Sequence, residues 1–188
     1  FEKNKKYLII GRNGSGKKYA DHAIVNSHRQ LKAATLTGTI PHEWEKTGDV
    51  SDEDLFRNLT IVSQVPYMFS GTVKDNITYL GKEDVKNSAI TQCWSMTVWK
   101  LIDDDRDISN ESTHISNGER EKIALLRALM RQNSWLILDE ATAALDKKSK
   151  QIFEKYILDR DDMTVLHISH NFQEEDAKMY DEIIVIGE

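Results

Sequence analysis

The sequence is poor in cysteine, proline and long apolar runs. Its single cysteine, Cys93, excludes an internal disulfide framework and offers no metal-ligand spacing. One lone thiol suits a reducing compartment. Apolar runs of about five residues at most fall far short of the ~20 that a bilayer-spanning helix needs. No signal-peptide pattern is seen: Phe1-Glu2-Lys3-Asn4-Lys5-Lys6 is polar, and Tyr7-Leu8-Ile9-Ile10 is too short an apolar core. Basic charge is in deficit, with 25 Lys and Arg against 31 Asp and Glu and a formal net charge of −6. That balance argues against a non-specific nucleic-acid binder. The length, 188 residues, fits one domain.

Glycine is scarce as well, but three of the nine, Gly11, Gly14 and Gly16, fall within six residues. Glycine packed this tightly marks a backbone that approaches something closely. Around that cluster the chain alternates short apolar runs with helical patterns. Tyr7–Ile10, Leu59–Val62, Trp135–Leu138, Thr164–Ile168 and Ile183–Ile186 read as strands. Helical patterns run over Lys17–Arg29, Glu83–Ile102, Glu119–Arg131 and Lys147–Leu158. Near-continuous apolar strands between helices predict an α/β fold, a parallel sheet covered on both faces. The polar stretch Asp103–His114, with its run Asp103-Asp104-Asp105, reads as a solvated surface loop. No internal repeat or low-complexity linker interrupts the pattern.

The segment Gly11-Arg12-Asn13-Gly14-Ser15-Gly16-Lys17 follows an apolar strand and precedes a helix. This is the G-x-x-x-x-G-K phosphate loop in its required context, against the plainer reading of a glycine-rich turn. Successive backbone N–H groups would curl around phosphates, the helix start adds positive partial charge, and Lys17 would reach the outer phosphates. Such loops carry Ser or Thr next, as a Mg²⁺ ligand. Here Lys18 and Tyr19 follow. An ammonium cannot ligate a metal cation. Two readings of Lys18 stand: it neutralises phosphate, or it points away and water fills the ligand position.

Trp135-Leu136-Ile137-Leu138 ends in two acids, Asp139 and Glu140. Asp139 is placed to hold Mg²⁺ and Glu140 to polarise an attacking water. Alone, the pair reads equally well as a helix cap. Other segments then accumulate in order: Gln64 through Ile77, containing Phe69-Ser70-Gly71-Thr72-Val73-Lys74-Asp75-Asn76-Ile77; Ile115-Ser116-Asn117-Gly118-Glu119-Arg120; Ala141-Thr142-Ala143-Ala144-Leu145-Asp146; and Val165-Leu166-His167-Ile168-Ser169-His170. This order resembles the ATP-binding-cassette (ABC) ATPases from about Tyr7 to the last residue. The Gln64 segment looks most like the exporter subgroup.

The resemblance implies a P-loop NTPase with a mainly parallel sheet flanked by helices, and a small helical subdomain at about 72–132 within a domain covering 1–188. It implies that Gly11, Arg12, Asn13, Gly14, Ser15, Gly16, Lys17, Lys18 and Tyr19 bind nucleotide. Gln64 would be the Q-loop residue that contacts Mg²⁺ or the attacking water. Ser116, Asn117, Gly118 and Glu119 match the signature, usually Leu-Ser-Gly-Gly-Gln, which meets the γ-phosphate bound on a second subunit. Asp139 would ligate Mg²⁺, Glu140 act as base, Asp146 end the D-loop and His170 be the switch histidine. His167 would lie within the strand. ATP and Mg²⁺ would be the cofactors. A second nucleotide-binding domain (homo- or heterodimer) and a transmembrane domain would be the partners, and the chain would sit on the cytoplasmic face of a membrane. Trp94 and Trp99 read as core residues or as part of a groove for that partner.

Departures sharpen the expectation. Lys18 and Tyr19 replace two hydroxyl residues, Asn117 replaces a signature glycine and Glu119 a glutamine. Lys18 suggests impaired Mg²⁺-dependent turnover, as in a degenerate partner of an asymmetric pair or a nucleotide sensor. The short lead before Gly11 suggests that the adenine-stacking residue and the first strands are missing, with Phe1 and Tyr7 as core residues. A chromosome-maintenance ATPase needs a long coiled coil between the Q-loop and the signature, and Gln64 and Ser116 stand too close for one. A ribosome-acting type carries two cassettes and a basic linker, and neither is seen.

Overall fold

A computed structural model describes residues 1–11, 57–78, 106–108, 115–169 and 177–186. The helices expected over 17–29 and 83–102, together with Cys93, Trp94 and Trp99, lie outside the described residues. The chain divides into two compact units. One comprises Phe1–Ile61, Asn133–Glu140 and Arg160–Glu188; the other comprises Val62–Gln132 and Ala141–Asp159.

The first unit is organised by a five-stranded sheet. Its strands are β1 (Lys6–Gly11), β2 (Leu59–Val62), β3 (Trp135–Asp139), β4 (Thr164–Ser169) and β5 (Glu182–Ile186), in the order β2-β3-β4-β1-β5. β1 runs parallel to β4 and β5, and β3 runs parallel to β4. Both faces of the central strands are buried, which is why they read as continuous apolar runs. One face gathers Tyr7, Ile9, Leu59, Ile137, Leu166 and Ile168 into a cluster, with Trp135, Ile184 and Ile186 packed against it. On the other face Leu8, Leu136, Leu138, Val165 and His167 are buried as well.

Two expectations are corrected here. Coverage of both faces fails at β5, where Ile183 and Val185 are 41% and 56% exposed. β5 is the last strand in the order and has β1 as its neighbour. Tyr7 is a core residue, but Phe1 is 38% exposed and rests edge-on against the Tyr7 ring rather than inside the core.

A buried ammonium fixes the start of β1. Lys6 is 4% exposed and donates from Nζ to the carbonyls of Asn4, Arg160 and Met163. Burial pushes its pKa down, while Asp181, Asp161 and Asp162 oppose that shift. The contact ties β1 to the turn that leads into β4.

Among the described residues the second unit has the helices α1 (Val73–Thr78), α2 (Asn117–Met130) and α3 (Lys147–Leu158). α1 is too short to show a helical period, and it is held by its ends. Thr72 Oγ1 donates to Asp75 Oδ2 at 2.8 Å and accepts from the Asp75 N–H at 3.0 Å. α2 buries Ile123, Ala124, Leu125, Leu126, Ala128, Leu129 and Met130.

Truncating Leu166, 1% exposed at the centre of the sheet cluster, removes dispersion contacts and leaves a cavity. Leu166→Ala should cost about 2–5 kcal/mol in urea unfolding with an unchanged m-value. A loss below about 1 kcal/mol would show that this cluster does not carry the first unit.

Candidate functional site

Parallel strands aligned in register bring their C-terminal ends to one edge, where ligands sit in open α/β sheets. β1 ends at Gly11, β3 at Asp139 and β4 at Ser169. Asp139 pairs with Ile168, and Ile10 pairs with Ser169. β4 lies between β3 and β1, so the first glycine of the phosphate loop and the strand-end acids flank the same strand end. Arg12, Asn13, Gly14, Ser15, Gly16, Lys17, Lys18 and Tyr19 lie outside the described residues, as does His170, which follows directly on Ser169.

Asp139 and Glu140 are 6% and 8% exposed. Asp139 Oδ1 is a buried acceptor that no donor among the described residues reaches, although the residue interacts elsewhere. A buried, directed carboxylate oxygen of this kind fits a hard cation such as Mg²⁺. Glu140 donates its N–H to the Ile168 carbonyl at 3.0 Å, extending the ladder by one bond. Its φ is +53°, the left-handed region that a side chain avoids. Holding it there costs of order 1 kcal/mol and turns the backbone out of the strand conformation at this residue.

In the second unit, Ser116 is the N-cap of α2 and forms a capping box with Glu119. The Glu119 N–H donates to Ser116 Oγ at 3.2 Å, and the Ser116 N–H and hydroxyl both donate to Glu119 Oε2 at 2.9 Å. Burial raises the Glu119 pKa, but these bonds and the one from Arg106 outweigh it and hold the carboxyl below its usual range. Asn117 and Gly118 complete the first turn. An added Cβ on Gly118 would stand 2.9 Å from the Ala144 carbonyl oxygen, too close for any side chain. This is the one signature position whose glycine the packing explains.

The same helix grips the Ala141–Asp146 loop. Glu121, 5% exposed, accepts from the Ala144 N–H at 2.8 Å. Burial pushes its pKa up, and the Ala144 and Leu145 N–H groups pull it back in part. Lys122 pairs with Asp146 at 2.9 Å. Asp146 caps α3, accepting from the Ser149 hydroxyl at 2.6 Å and its N–H at 2.9 Å. Those bonds and Lys122 hold its carboxyl far below the usual range.

Gln64 follows β2 and is exposed. The segment after it is fastened to α2 by Arg127. Nε and Nη2 of Arg127 donate to the Asn76 carbonyl and Oδ1 at 2.7 Å, and Nη1 donates to the Tyr67 carbonyl at 2.8 Å. Its guanidinium stacks 4.6 Å from the Phe69 ring centroid. Val65 and Tyr67 are left 80% and 71% exposed on that segment. Sequence reasoning missed Arg106, Glu121 and Arg127. The helical period marks the positions of Glu121 and Arg127 but not their partners, and Arg106 lies in a stretch that reads as a loop.

His167 is packed rather than surface-facing. It is 2% exposed, with Nδ1 2.6 Å from the Tyr180 hydroxyl. Among the described residues, no group of three or more His, Cys, Asp or Glu could hold a metal, and no helix is long and apolar enough to cross a membrane.

The family model for "ABC transporter" matches residues 1–143. The chain belongs to the ABC transporter family. Its fold is the α/β P-loop fold of that family, and ATP is the nucleotide that membership implies. It is 32% identical over 188 residues to the ABC multidrug transporter mdr2 of Aspergillus fumigatus, covering 95% of this chain and 22% of that protein. It is 32% identical over 192 residues to the ATP-dependent lipid A-core flippase of Aliivibrio fischeri, covering 98% of this chain and 32% of that protein. The ATP-bound structure of a bacterial Atm1-family ABC exporter matches with a TM-score of 0.74 and 22% identity, over 98% of this chain and 32% of that one. The ABC domain thus spans about a fifth to a third of the length of these relatives.

Asp146 gives a pH test. Its folded-state pKa is depressed, so its contribution is present above the unfolded carboxylate value of about 3.9 and is lost as pH falls toward the folded value. Asp146→Ala should cost about 1 kcal/mol at pH 7 as a lost helix cap. In thermal unfolding the gap should hold down to about pH 5 and close below about pH 4. A gap that widens with acid would contradict the capping role.

Proposed function

We propose that this domain binds ATP with Mg²⁺ and hydrolyses it at an interface shared with a second nucleotide-binding domain. The cycle would move a transmembrane partner of an exporter on the cytoplasmic face of a membrane. The observation that carries the reading is the strand-end pair Asp139-Glu140, with Glu140 held at φ +53° beside the end of β4. A buried glutamate forced out of the strand direction suits a general base for water.

The roles follow from chemistry. The backbone of 11–17 and Lys17 would cradle the phosphates. Asp139 and Gln64 would hold Mg²⁺, which when bound offsets charge on the β- and γ-phosphate oxygens. Glu140 would take the proton of the attacking water, with His170 orienting both. Ser116, Asn117, Gly118 and Glu119 would meet the γ-phosphate bound by the other subunit, and Asp146 would hold the D-loop there. Residues 72–132 would act as the helical subdomain. The exposed Val65 and Tyr67 beside Gln64 give a membrane partner an apolar foothold. Splitting the site across two chains makes hydrolysis wait for closure.

Lys18 favours a second reading. With an ammonium where a Mg²⁺-ligating hydroxyl is expected, the chain's own phosphate loop would bind ATP but turn it over poorly, as in the degenerate half of an asymmetric pair or a sensor.

Steady-state ATPase and nucleotide-binding measurements test both readings. Glu140→Gln should cut turnover by about 10²–10⁴-fold while binding persists. Lys18→Ser should raise turnover and its Mg²⁺ dependence. Full turnover by Glu140→Gln would remove Glu140 as base. No change in Lys18→Ser, beside a normally active parent, would clear Lys18 as a defect.

A further inference from the structure

The start of α2 carries a contradiction. A helix N-terminus attracts anions through its free N–H groups and dipole. Here a carboxylate already occupies that place. Glu119 Oε2 takes both the Ser116 N–H and its hydroxyl, each at 2.9 Å. A phosphate approaching Ser116 would meet a full negative charge and a hydroxyl whose proton is committed to it.

The other oxygen is held from elsewhere. Arg106 Nη2 donates to Glu119 Oε1 at 2.9 Å. Arg106 belongs to no part of α2. Its carbonyl accepts from the Val73 N–H at 3.1 Å, and the Ile108 N–H donates to the Gly71 carbonyl at 2.8 Å. Thr72 and Asp107 form an isolated antiparallel bridge. The backbone that carries Arg106 is therefore anchored at the start of α1, outside the helix whose charge the guanidinium meets.

We propose that Arg106 is a positioning residue that supplies the counter-charge allowing a helix start burdened with Glu119 to accept a polyphosphate. Gripping Oε1, it cancels the carboxylate's charge at the helix start and holds the side chain back against α2. The Ser116 hydroxyl can then turn its proton toward an incoming phosphate oxygen, while Glu119 keeps a cationic donor. This rests on the reading that Ser116 meets ATP held by a second subunit.

The test is a double-mutant cycle on the assembled protein, reading the KM and kcat of ATP hydrolysis. Arg106→Ala should raise KM about three- to fivefold with kcat little changed, and the rise should grow at low ionic strength. Arg106→Lys should retain most of the parent's KM. With Glu119→Gln as the reference background there is no charge to neutralise, and adding Arg106→Ala should raise KM no further. An equal rise in both backgrounds, or a loss confined to kcat, would overturn the proposal and leave Arg106 a bracing residue. No change in either background would overturn it too. A parent without any ATP turnover would contradict the functional reading itself and this inference with it.

Discussion

At Gly118 the signature helix comes so close to the Ala144 carbonyl that a methyl group there would overlap it. Glu121 accepts from the Ala144 N–H a turn later, and Lys122 reaches Asp146. A missing side chain, a buried carboxylate and an ion pair thus fasten α2 to the 141–146 loop at three successive points. The buried contacts decide the matter, because a partly exposed ion pair alone contributes little. Arg127 does the same at the other end of α2, where it binds Asn76 and Tyr67 through three hydrogen bonds and stacks on Phe69. One helix therefore carries the proposed trans-phosphate contact, the 141–146 loop and the segment after Gln64.

The first unit follows a different constraint. Its central strands are buried on both faces and parallel, so their C-terminal ends must line up. That alignment puts Gly11, Asp139 and Ser169 on one edge, and the left-handed turn at Glu140 re-aims the next residue. Stability spent on that backbone is the kind of local cost that functional sites keep.

Much of this was legible in the sequence. Short apolar runs announced the five strands, and in the central strands β1, β3 and β4 double-sided burial leaves no polar alternation to confuse them. α3 was readable from the spacing of Phe153 and Ile157, and α2 begins at Asn117, just after its cap Ser116 and two residues before the start that the apolar pattern suggested. α1 was not readable: six residues span less than two turns, and its start is set by Thr72 and Asp75 rather than by periodicity. The motif order placed Asp139, Glu140, Ser116 and Asp146 at element ends, where their backbones put them. Arg106 was hidden in a stretch whose composition reads as a solvated loop, since composition carries no record of a tertiary partner. Glu121 and Arg127 were hidden for the same reason among the other charges of α2. Phe1 was misjudged because its apolar character does not say where it packs: it rests edge-on at the margin of Tyr7 and stays 38% exposed.

From these contacts we infer that α2 makes its own start at 116–119 and the 141–146 loop respond to nucleotide as one body. Amide hydrogen exchange on the assembled protein, with and without ATP, measures this most directly in the slow-turnover Glu140→Gln variant. The account predicts that ATP slows exchange at the Glu119, Ala144 and Leu145 amides together and by a common factor. Protection at Glu119 with Ala144 and Leu145 unchanged, or no protection at any of the three, would contradict it.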